Sequence, residues 1–238
     1  MLNDLKQAVC AANLKLAASG LVLDTWGNVS GVDRAAGVMV IKPFGLAYEG
    51  MKARHMVAVR LDTGQPIDSG AERSRSTHAR PSSDTPTHLA LYRAWPGVGG
   101  VVHTHSLYAT AWAQAQKAIP ALGTTHADTF RGDIPCTREL KAAEIQTDYE
   151  ANTGKVILEA LAGRDPLECP GVLVAGHGPF AWGASPDEAV HNAVILEYLA
   201  RLATLTRLVE PSTHPISREL LDKHFFRKHG PGRTYGQD

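Results

Sequence analysis

Cysteine is scarce in this sequence, and a net charge and long apolar runs are missing from it. Three cysteines, Cys10, Cys136 and Cys169, lie far apart along 238 residues, which excludes a disulfide framework and a zinc site built from cysteines. Lysine plus arginine and aspartate plus glutamate each total 24, so no general attraction to nucleic acid or membranes is expected. No apolar run approaches the ~20 residues of a bilayer span, and no basic and then apolar leader is recognisable. We therefore expect a protein of the reducing cytoplasm, with neither nucleic acid nor membrane as a partner.

The composition is that of one large globular unit. Hydrophobic residues make up 44% of the chain, enough to bury roughly 70% of the surface that the unfolded chain exposes. We find no internal repeat and no change in composition that marks a boundary, and single α/β domains often reach this length. The sequence therefore predicts one α/β domain over residues 1–238.

The most informative stretch is residues 99–106, which read Gly-Gly-Val-Val-His-Thr-His-Ser. Its apolar centre predicts a strand, and alternate residues of a strand project from one face about 6.5 Å apart. His103 and His105 are thereby expected side by side, and neutral imidazoles are ordinary ligands of zinc and similar divalent ions. For a histidine pair considered alone, the other interpretation is one ring in a polar groove and one buried, hydrogen-bonded ring.

Hydrophobic periodicity and turn residues predict the elements around this stretch. Helices are expected at about 2–19, 84–95, 107–114, 138–162, 185–208 and 217–229. Strands are expected at 27–33 and 37–42, paired as a hairpin, and at 56–61, 171–175 and 180–183. Asp84 or Thr85 can cap the helix at 84–95, and the serine-rich turn before it can hold a phosphate. The glycines on either side of His177 allow its imidazole to approach a ligand closely.

Four stretches together resemble the class II aldolase family. They are Pro-Ser-Ser-Asp at 81–84, His-Thr-His at 103–105, Thr-His-Ala-Asp at 125–128 and Gly-His-Gly-Pro-Phe-Ala-Trp-Gly at 176–183. The resemblance extends over nearly the whole chain, including Thr-Trp-Gly-Asn-Val-Ser at 25–30, Val-His-Asn-Ala at 190–193, Leu-Asp-Lys-His at 221–224 and Tyr-Gly-Gln at 235–237. It implies a three-layer α/β/α fold with a mixed, largely antiparallel central sheet. It also implies a cyclic homotetramer whose active sites lie between subunits.

The resemblance also implies a metal centre. By position, His103, His105 and His177 are the imidazole ligands, and Asp84 is a carboxylate ligand or their close partner. Three imidazoles and one oxygen ligand suit Zn²⁺, with Mn²⁺ or Co²⁺ as alternatives. Aldolases of the family typically carry a glutamate at the position of Asp84, and the shorter aspartate favours the epimerase branch.

The epimerase branch implies an isomerase of carbohydrate metabolism, acting in arabinose catabolism. Its reaction inverts C4 of a pentulose phosphate, L-ribulose 5-phosphate, by retro-aldol cleavage and re-addition. Position in the family motifs makes Asp128 and Tyr235 the groups that transfer protons, each supplied by the neighbouring subunit, a type of help worth ~10²–10⁴ in rate.

Residues for the phosphate are implied in the same way, and here the sequence departs from the family. The matching positions are Gly27, Asn28, Lys42, Phe44, Gly45, Ser82 and Ser83. The family has a hydroxyl-bearing residue where this chain has Phe44, which offers only its backbone amide. The departure has three possible consequences: weaker phosphate binding, a phosphate held by arginines of the polar loop at 68–80, or a different substrate tail.

Two other functions remain open. One is a related metal-dependent aldolase that releases its aldehyde product, and the other is a noncatalytic protein that binds a metal or a sugar. A barrel metallohydrolase is disfavoured, because its His-x-His would come early and the repeating βα pattern of a barrel is missing here. His126, Glu150 and His224 lie near the matched motifs and receive no assigned role.

Overall fold

The computed structural model describes residues 2–67, 80–230 and 233. Its helices are α1 Leu2–Ala18, α2 Thr85–Ala94, α3 Leu107–Gln114, α4 Thr124–Ala127, α5 Ala142–Thr147, α6 Tyr149–Ala160, α7 Pro186–Val209 and α8 Arg218–His229, with a 3₁₀ turn at Ala53–His55. Its strands are β1 Asn28–Asp33, β2 Val38–Ile41, β3 Val57–Arg60, β4 Gly100–His103, β5 Gly171–Val174 and β6 Gly178–Gly183. Most of the predicted elements are therefore present within two or three residues of their expected ends.

The strands form one sheet in the order β3-β2-β1-β4-β6-β5. Neighbouring strands run antiparallel, including the predicted hairpin of β1 and β2, and an isolated parallel bridge joins Cys136 to Leu173. The prediction of a mixed, largely antiparallel sheet is confirmed. Because β1 and β4 are central neighbours, the ends of both strands meet in the middle of the sheet, where Asn28 is paired with His103.

Alternation along the strands gives the sheet two apolar faces. Val101 and Trp182 belong to a large cluster with Leu89 of α2 and Ile157 of α6. The next residues along, Val102 and Ala181, belong to a second cluster with Leu16 of α1 and Val190 of α7. Helices therefore cover both faces, and the three-layer arrangement is confirmed.

The structure corrects two details of the expected elements. The helix predicted over 138–162 is two helices, α5 and α6, because Asp148 has φ −145° and ψ 71°, outside the helical region. The Asn152 amide stabilises the break by donating to the Glu144 carbonyl at 2.9 Å. His105 lies beyond the strand, since β4 ends at His103. Within the described ranges, none of the helices combines the length and the apolar character that crossing a bilayer requires.

Candidate active site

His103 is the last residue of β4 and is held on two sides. Its ring stacks on the fully buried Phe180 of β6, with ring centroids 4.2 Å apart and planes 17° from parallel. Its Nδ1 lies 3.0 Å from the carbonyl oxygen of Pro179. Because a carbonyl only accepts, Nδ1 carries the proton, and Nε2 keeps its lone pair. His103 is thereby prepared to bind a metal through Nε2.

Two further imidazoles converge on His103. Its Nε2 is 3.1 Å from Nε2 of His105, and the ring of His177 lies 4.7 Å from that of His103 and 5.0 Å from that of His105, centroid to centroid. One ligand atom from each of these three residues lies within 4.8 Å of the others. His105 joins the cluster from the loop after β4, and His177 joins it from the turn between β5 and β6.

The environment of the cluster favours the neutral form of two of its rings, His105 and His177. Burial, followed by the neighbouring His103 and His105, lowers the pKa of His177 to about 3. Burial and the neighbouring His103 likewise lower the pKa of His105. Metal ligation requires a deprotonated nitrogen, so the lowered pKa values of His105 and His177 favour the form of these rings that binds a divalent ion.

Asp84 stands beside this cluster, held by Asn28. The Asn28 amide donates to Oδ2 of Asp84 at 2.6 Å and to the Ser82 hydroxyl at 3.1 Å. Burial alone raises the pKa of Asp84, but His103, His88 and the amide of Asn28 outweigh it, and the net pKa is lowered. Asp84 occupies the N-cap position of α2, yet its side chain makes no capping bond. The carboxylate instead accepts the hydrogen bond from Asn28, whereas the sequence analysis offered Asp84 as a cap of this helix.

Gly27 allows β1 to begin against β4. Its φ is +77°, and a Cβ there would lie 2.9 Å from the Val22 side chain and 3.0 Å from the backbone oxygen of His103. An alanine would meet both backbone strain and a close contact with the backbone at the end of β4. Gly27 therefore sets the position of Asn28 relative to His103.

The remaining residues predicted for the phosphate lie on two segments that run side by side. Backbone bonds from Phe44 to the Arg80 oxygen at 2.9 Å and from Ser82 to the Lys42 oxygen at 3.2 Å join residues 42–44 to residues 80–82. The amide that Phe44 was expected to offer to an anion is thus already bonded. The Phe44 ring is 61% exposed, with the guanidinium of Arg80 5.5 Å from its centre. Gly45 follows with φ +66°, and Ser83 is exposed.

Lys42 is buried next to this pair of segments. Its ammonium donates to the Thr25 carbonyl at 2.9 Å and lies 4.7 Å from the centre of the Tyr48 ring. Burial lowers its pKa to about 8. Its bond to Thr25 uses one of three ammonium donors, and it fixes the loop that leads to Gly27.

Asp128 follows α4 and faces α8. Its Oδ1 lies 3.0 Å from Nδ1 of His224, and its Oδ2 lies 3.1 Å from Nζ of Lys228. Arg227 is 3.4 Å from Oδ1, and Nε2 of His229 is 2.9 Å from the Asp128 backbone oxygen. Three of these contacts come from Arg227, Lys228 and His229, to which sequence analysis assigned no function. Tyr235, the other residue predicted to transfer protons, lies outside the described part of the chain, as do residues 68–79 of the polar loop.

Sequence reasoning also missed Tyr149 and left His126 open. The Tyr149 hydroxyl lies 3.2 Å from Nδ1 of His177. Burial and then the charge of Asp84 raise the pKa of Tyr149, so the hydroxyl stays protonated at neutral pH. The break between α5 and α6 places this residue, and no periodicity signals such a break. His126 is buried, with Nε2 2.8 Å from the Gly132 carbonyl, which gives it a structural role.

Comparisons with known proteins agree with this geometry. L-ribulose-5-phosphate 4-epimerase UlaF of Salmonella paratyphi C (strain RKS4594) and that of Salmonella typhi are each 57% identical to this chain over 233 residues, which is 98% of both chains. Among solved structures, an L-fuculose 1-phosphate aldolase superposes with a TM-score of 0.75 at 23% identity, covering 93% of this chain and 94% of its own. The family described as class II aldolase and adducin N-terminal domain matches residues 7–204. The chain belongs to this class II aldolase family.

Proposed function

We propose that this protein epimerises L-ribulose 5-phosphate to D-xylulose 5-phosphate at C4 by retro-aldol and aldol steps. The observation that carries the proposal is the 57% identity, over 98% of both chains, to proteins named L-ribulose-5-phosphate 4-epimerase. The three converging imidazoles support it, because this chemistry needs a metal and no redox cofactor.

The chemistry follows from where C4 lies in the sugar. The hydrogen on C4 has no adjacent carbonyl to acidify it, so direct deprotonation is unfavourable. Cleavage of the C3–C4 bond instead gives glycolaldehyde phosphate and the enediolate of dihydroxyacetone. The aldehyde then rotates, and the enediolate attacks its opposite face. The C3–C4 bond forms again with the configuration at C4 inverted.

The metal centre is assigned to His103, His105 and His177, with Asp84 as a fourth ligand or close partner. We propose Zn²⁺, which suits three imidazoles and an oxygen ligand, and Mn²⁺ or Co²⁺ can replace it. A divalent ion bound there supplies Lewis acidity toward the oxygens of the dihydroxyacetone half of the substrate. Asn28 keeps the Asp84 carboxylate turned toward the imidazoles.

Proton transfer is assigned to Asp128 and Tyr235. One removes the proton of the C4 hydroxyl as the bond breaks, and the other returns a proton to the aldehyde oxygen when its other face is attacked. The contacts of Asp128 with His224 and Lys228 favour its ionised form and support a role as proton acceptor. In our proposal, both residues act on the site of a neighbouring subunit.

The phosphate is assigned to Gly27, Asn28, Lys42, Gly45, Ser82 and Ser83, with Phe44 at the border of the site. Since the Phe44 amide is bonded to the Arg80 oxygen, we assign part of the missing contact to the Arg80 guanidinium over the Phe44 ring. Arg80→Met is expected to raise KM for the sugar phosphate with little change in kcat, and the exposed Arg54→Met serves as the control. An unchanged KM would remove Arg80 from the site.

The proposed homotetramer has a candidate contact surface on α7. Apolar residues lie three or four positions apart on its outer side from residue 194 to residue 208, and one more follows at 209. They are Val194, Tyr198, Leu202, Leu205, Leu208 and Val209, all exposed in the single chain. A second copy of this chain is the proposed occupant of this surface. Sedimentation of the double variant Leu205→Glu, Leu208→Glu tests the surface, and a tetramer that persists would contradict it.

We also propose that residues 1–238 form one domain that works in the cytoplasm. Helix α8 lies beyond the region matched by the family, yet its Leu221 shares an apolar cluster with Ala121 and Ala127. The three cysteines are free, which supports a reducing compartment.

The decisive experiment supplies L-ribulose 5-phosphate to the metal-reconstituted protein and assays D-xylulose 5-phosphate and free glycolaldehyde phosphate separately. We expect the epimer without accumulation of the aldehyde. Accumulating aldehyde would instead indicate an aldolase that releases its fragments. Bound metal without any turnover would indicate another substrate or a noncatalytic protein.

A further inference from the structure

Tyr149, the first residue of α6, contacts the cluster of three histidines from outside. Its hydroxyl lies 3.2 Å from Nδ1 of His177, and the two ring centroids are 6.0 Å apart. The side chain is half-buried. No role for this residue follows from the metal ligands or from the proton-transfer groups proposed above.

The position of Tyr149 is fixed by the packing of α6 on α2. Gly154 of α6 lies so close to α2 that an added Cβ would be 2.7 Å from the Cβ of Ala90. The Thr87 hydroxyl of α2 donates to the Glu150 carbonyl at 2.6 Å, one residue after Tyr149. The first turn of α6 is therefore anchored, and the hydroxyl is presented to His177 from a rigid element.

His103 provides the comparison within the same cluster. The Nδ1 of His103 donates to the Pro179 carbonyl, and this bond leaves Nε2 as the proposed ligand atom. At Nδ1 of His177, the atom within hydrogen-bonding distance is the hydroxyl oxygen of Tyr149. A hydroxyl oxygen can accept a hydrogen bond from Nδ1–H, and this bond selects the same tautomer, with the lone pair of Nε2 available to a metal.

We propose that Tyr149 is the positioning residue of His177: it accepts a hydrogen bond from Nδ1 and so holds Nε2 in place for the metal. Outer partners of this kind fix the orientation of a ligating ring, and their loss typically costs about 10–100-fold in metal affinity. The inference rests on the metal site of the proposed function and is independent of which sugar is the substrate.

The test is Co²⁺ binding to metal-free protein, followed by absorption and by competition with a chelator, for wild type and Tyr149→Phe. Phenylalanine keeps the ring and removes only the hydroxyl. We expect the variant to bind Co²⁺ about 10–100-fold more weakly, to lose it faster and to show altered ligand-field absorption. The metal-free variant should melt at the temperature of metal-free wild type, since the packing is unchanged.

Tyr108→Phe, which removes the hydroxyl of a half-buried tyrosine of α3, is the matched control and should bind Co²⁺ as wild type does. Equal affinity and an identical spectrum for Tyr149→Phe would overturn the inference, as would a wild-type protein that binds no Co²⁺. Failure to convert L-ribulose 5-phosphate would contradict the proposed reaction and leave the Co²⁺ result for Tyr149 standing, so the two failures are distinguishable.

Discussion

Lys228 forms an ion pair with Asp128, Nζ to Oδ2 at 3.1 Å, across 100 residues of sequence. His224 and Arg227, on the same helix, contact the other carboxylate oxygen. Burial raises the pKa of Asp128, but its hydrogen bonds to His224 and Lys228 and the charges of Lys228 and Arg227 produce a net lowering. Helix α8 thus sets the ionisation of a residue to which we assign proton transfer.

Removal of Lys228 should therefore change the pH dependence of turnover. In Lys228→Met the pKa of Asp128 rises, so the acid limb of the pH profile, where ionised Asp128 is lost, moves to higher pH. At neutral pH, kcat/KM should fall by about fivefold or less, since a partly exposed ion pair is worth about 1 kcal/mol or less. The measurement is kcat/KM for the sugar phosphate against pH.

Lys223→Met is the matched control, because Lys223 is an exposed lysine of the same helix. Its profile should follow that of wild type. If Lys228→Met keeps the wild-type acid limb, the ion pair does not control Asp128 during turnover.

Titration of Lys42 should change the KM for the sugar phosphate at alkaline pH. Burial lowers its pKa to about 8, so the ammonium is charged below that pH and becomes neutral as the pH rises through it. Since the phosphate is already a dianion in this range, KM should rise above about pH 8 while the substrate charge stays constant. In Lys42→Met, KM should be raised at least about tenfold at pH 7, as for loss of a charge-assisted hydrogen bond, and should not vary around pH 8.

Lys52→Met changes an exposed lysine and should leave the alkaline rise in KM intact. A wild-type KM that stays constant from pH 7 to pH 10 would show that Lys42 acts only on the Thr25 carbonyl.

Metal removal should destabilise the protein as well as inactivate it. A ligand that binds only the folded state adds about 2.7 kcal/mol at a hundredfold excess over its Kd. For a chain of this size that corresponds to roughly 5–10 °C in melting temperature. Calorimetry with EDTA and after return of Zn²⁺ checks this. His105→Asn should respond less to both treatments, and an equal response would move the metal away from the imidazole cluster.

Gly27→Ala should be more destabilising than alanine at another glycine of positive φ. Gly20 has φ +75° and open space around its Cβ position, whereas a Cβ at Gly27 meets Val22 and the His103 oxygen. Gly20→Ala should cost about 1–2 kcal/mol from backbone strain alone, and Gly27→Ala should cost more. Urea unfolding of both variants measures the difference, and equal losses would show that the contact with β4 relaxes freely.

Local patterns predicted most of the fold. Alternating apolar residues and glycine-rich turns indicated the hairpin of β1 and β2, and the capping serines before α7 and α8 indicated where those helices begin. The order of the strands was not predicted, because antiparallel neighbours such as β4 and β6 are far apart in sequence. The family resemblance supplied only the largely antiparallel character of the sheet. The break at Asp148 was missed, since the residues on both sides favour a helix and the hydrogen bond from the Asn152 side chain to the Glu144 carbonyl leaves no periodic pattern in the sequence.

The site residues that lie in local motifs could be predicted from the sequence. The contacts between residues far apart in the sequence could not. His103, His105 and His177 were predicted as a set, and the structure brings them together. The contacts of Asp128 with α8 and of His177 with Tyr149 depend on helices packing across the fold, and neither leaves a repeated pattern in the sequence. The Phe44 amide was expected to be available to an anion, but it donates to the Arg80 carbonyl where the two segments pair.

Pairing of Asn28 with His103 in the β1–β4 ladder has a consequence for substrate choice. A shift of register by one residue would turn Asn28 to the other face of the sheet, so the distance between the metal side and the Asn28 side of the site is fixed by backbone hydrogen bonds. Under the proposed assignment of the phosphate site, adaptation to a longer or shorter sugar arises in the segments 43–45 and 80–83, outside the sheet. Changes in those two short segments would then alter which substrate length fits and leave the three histidines where they are.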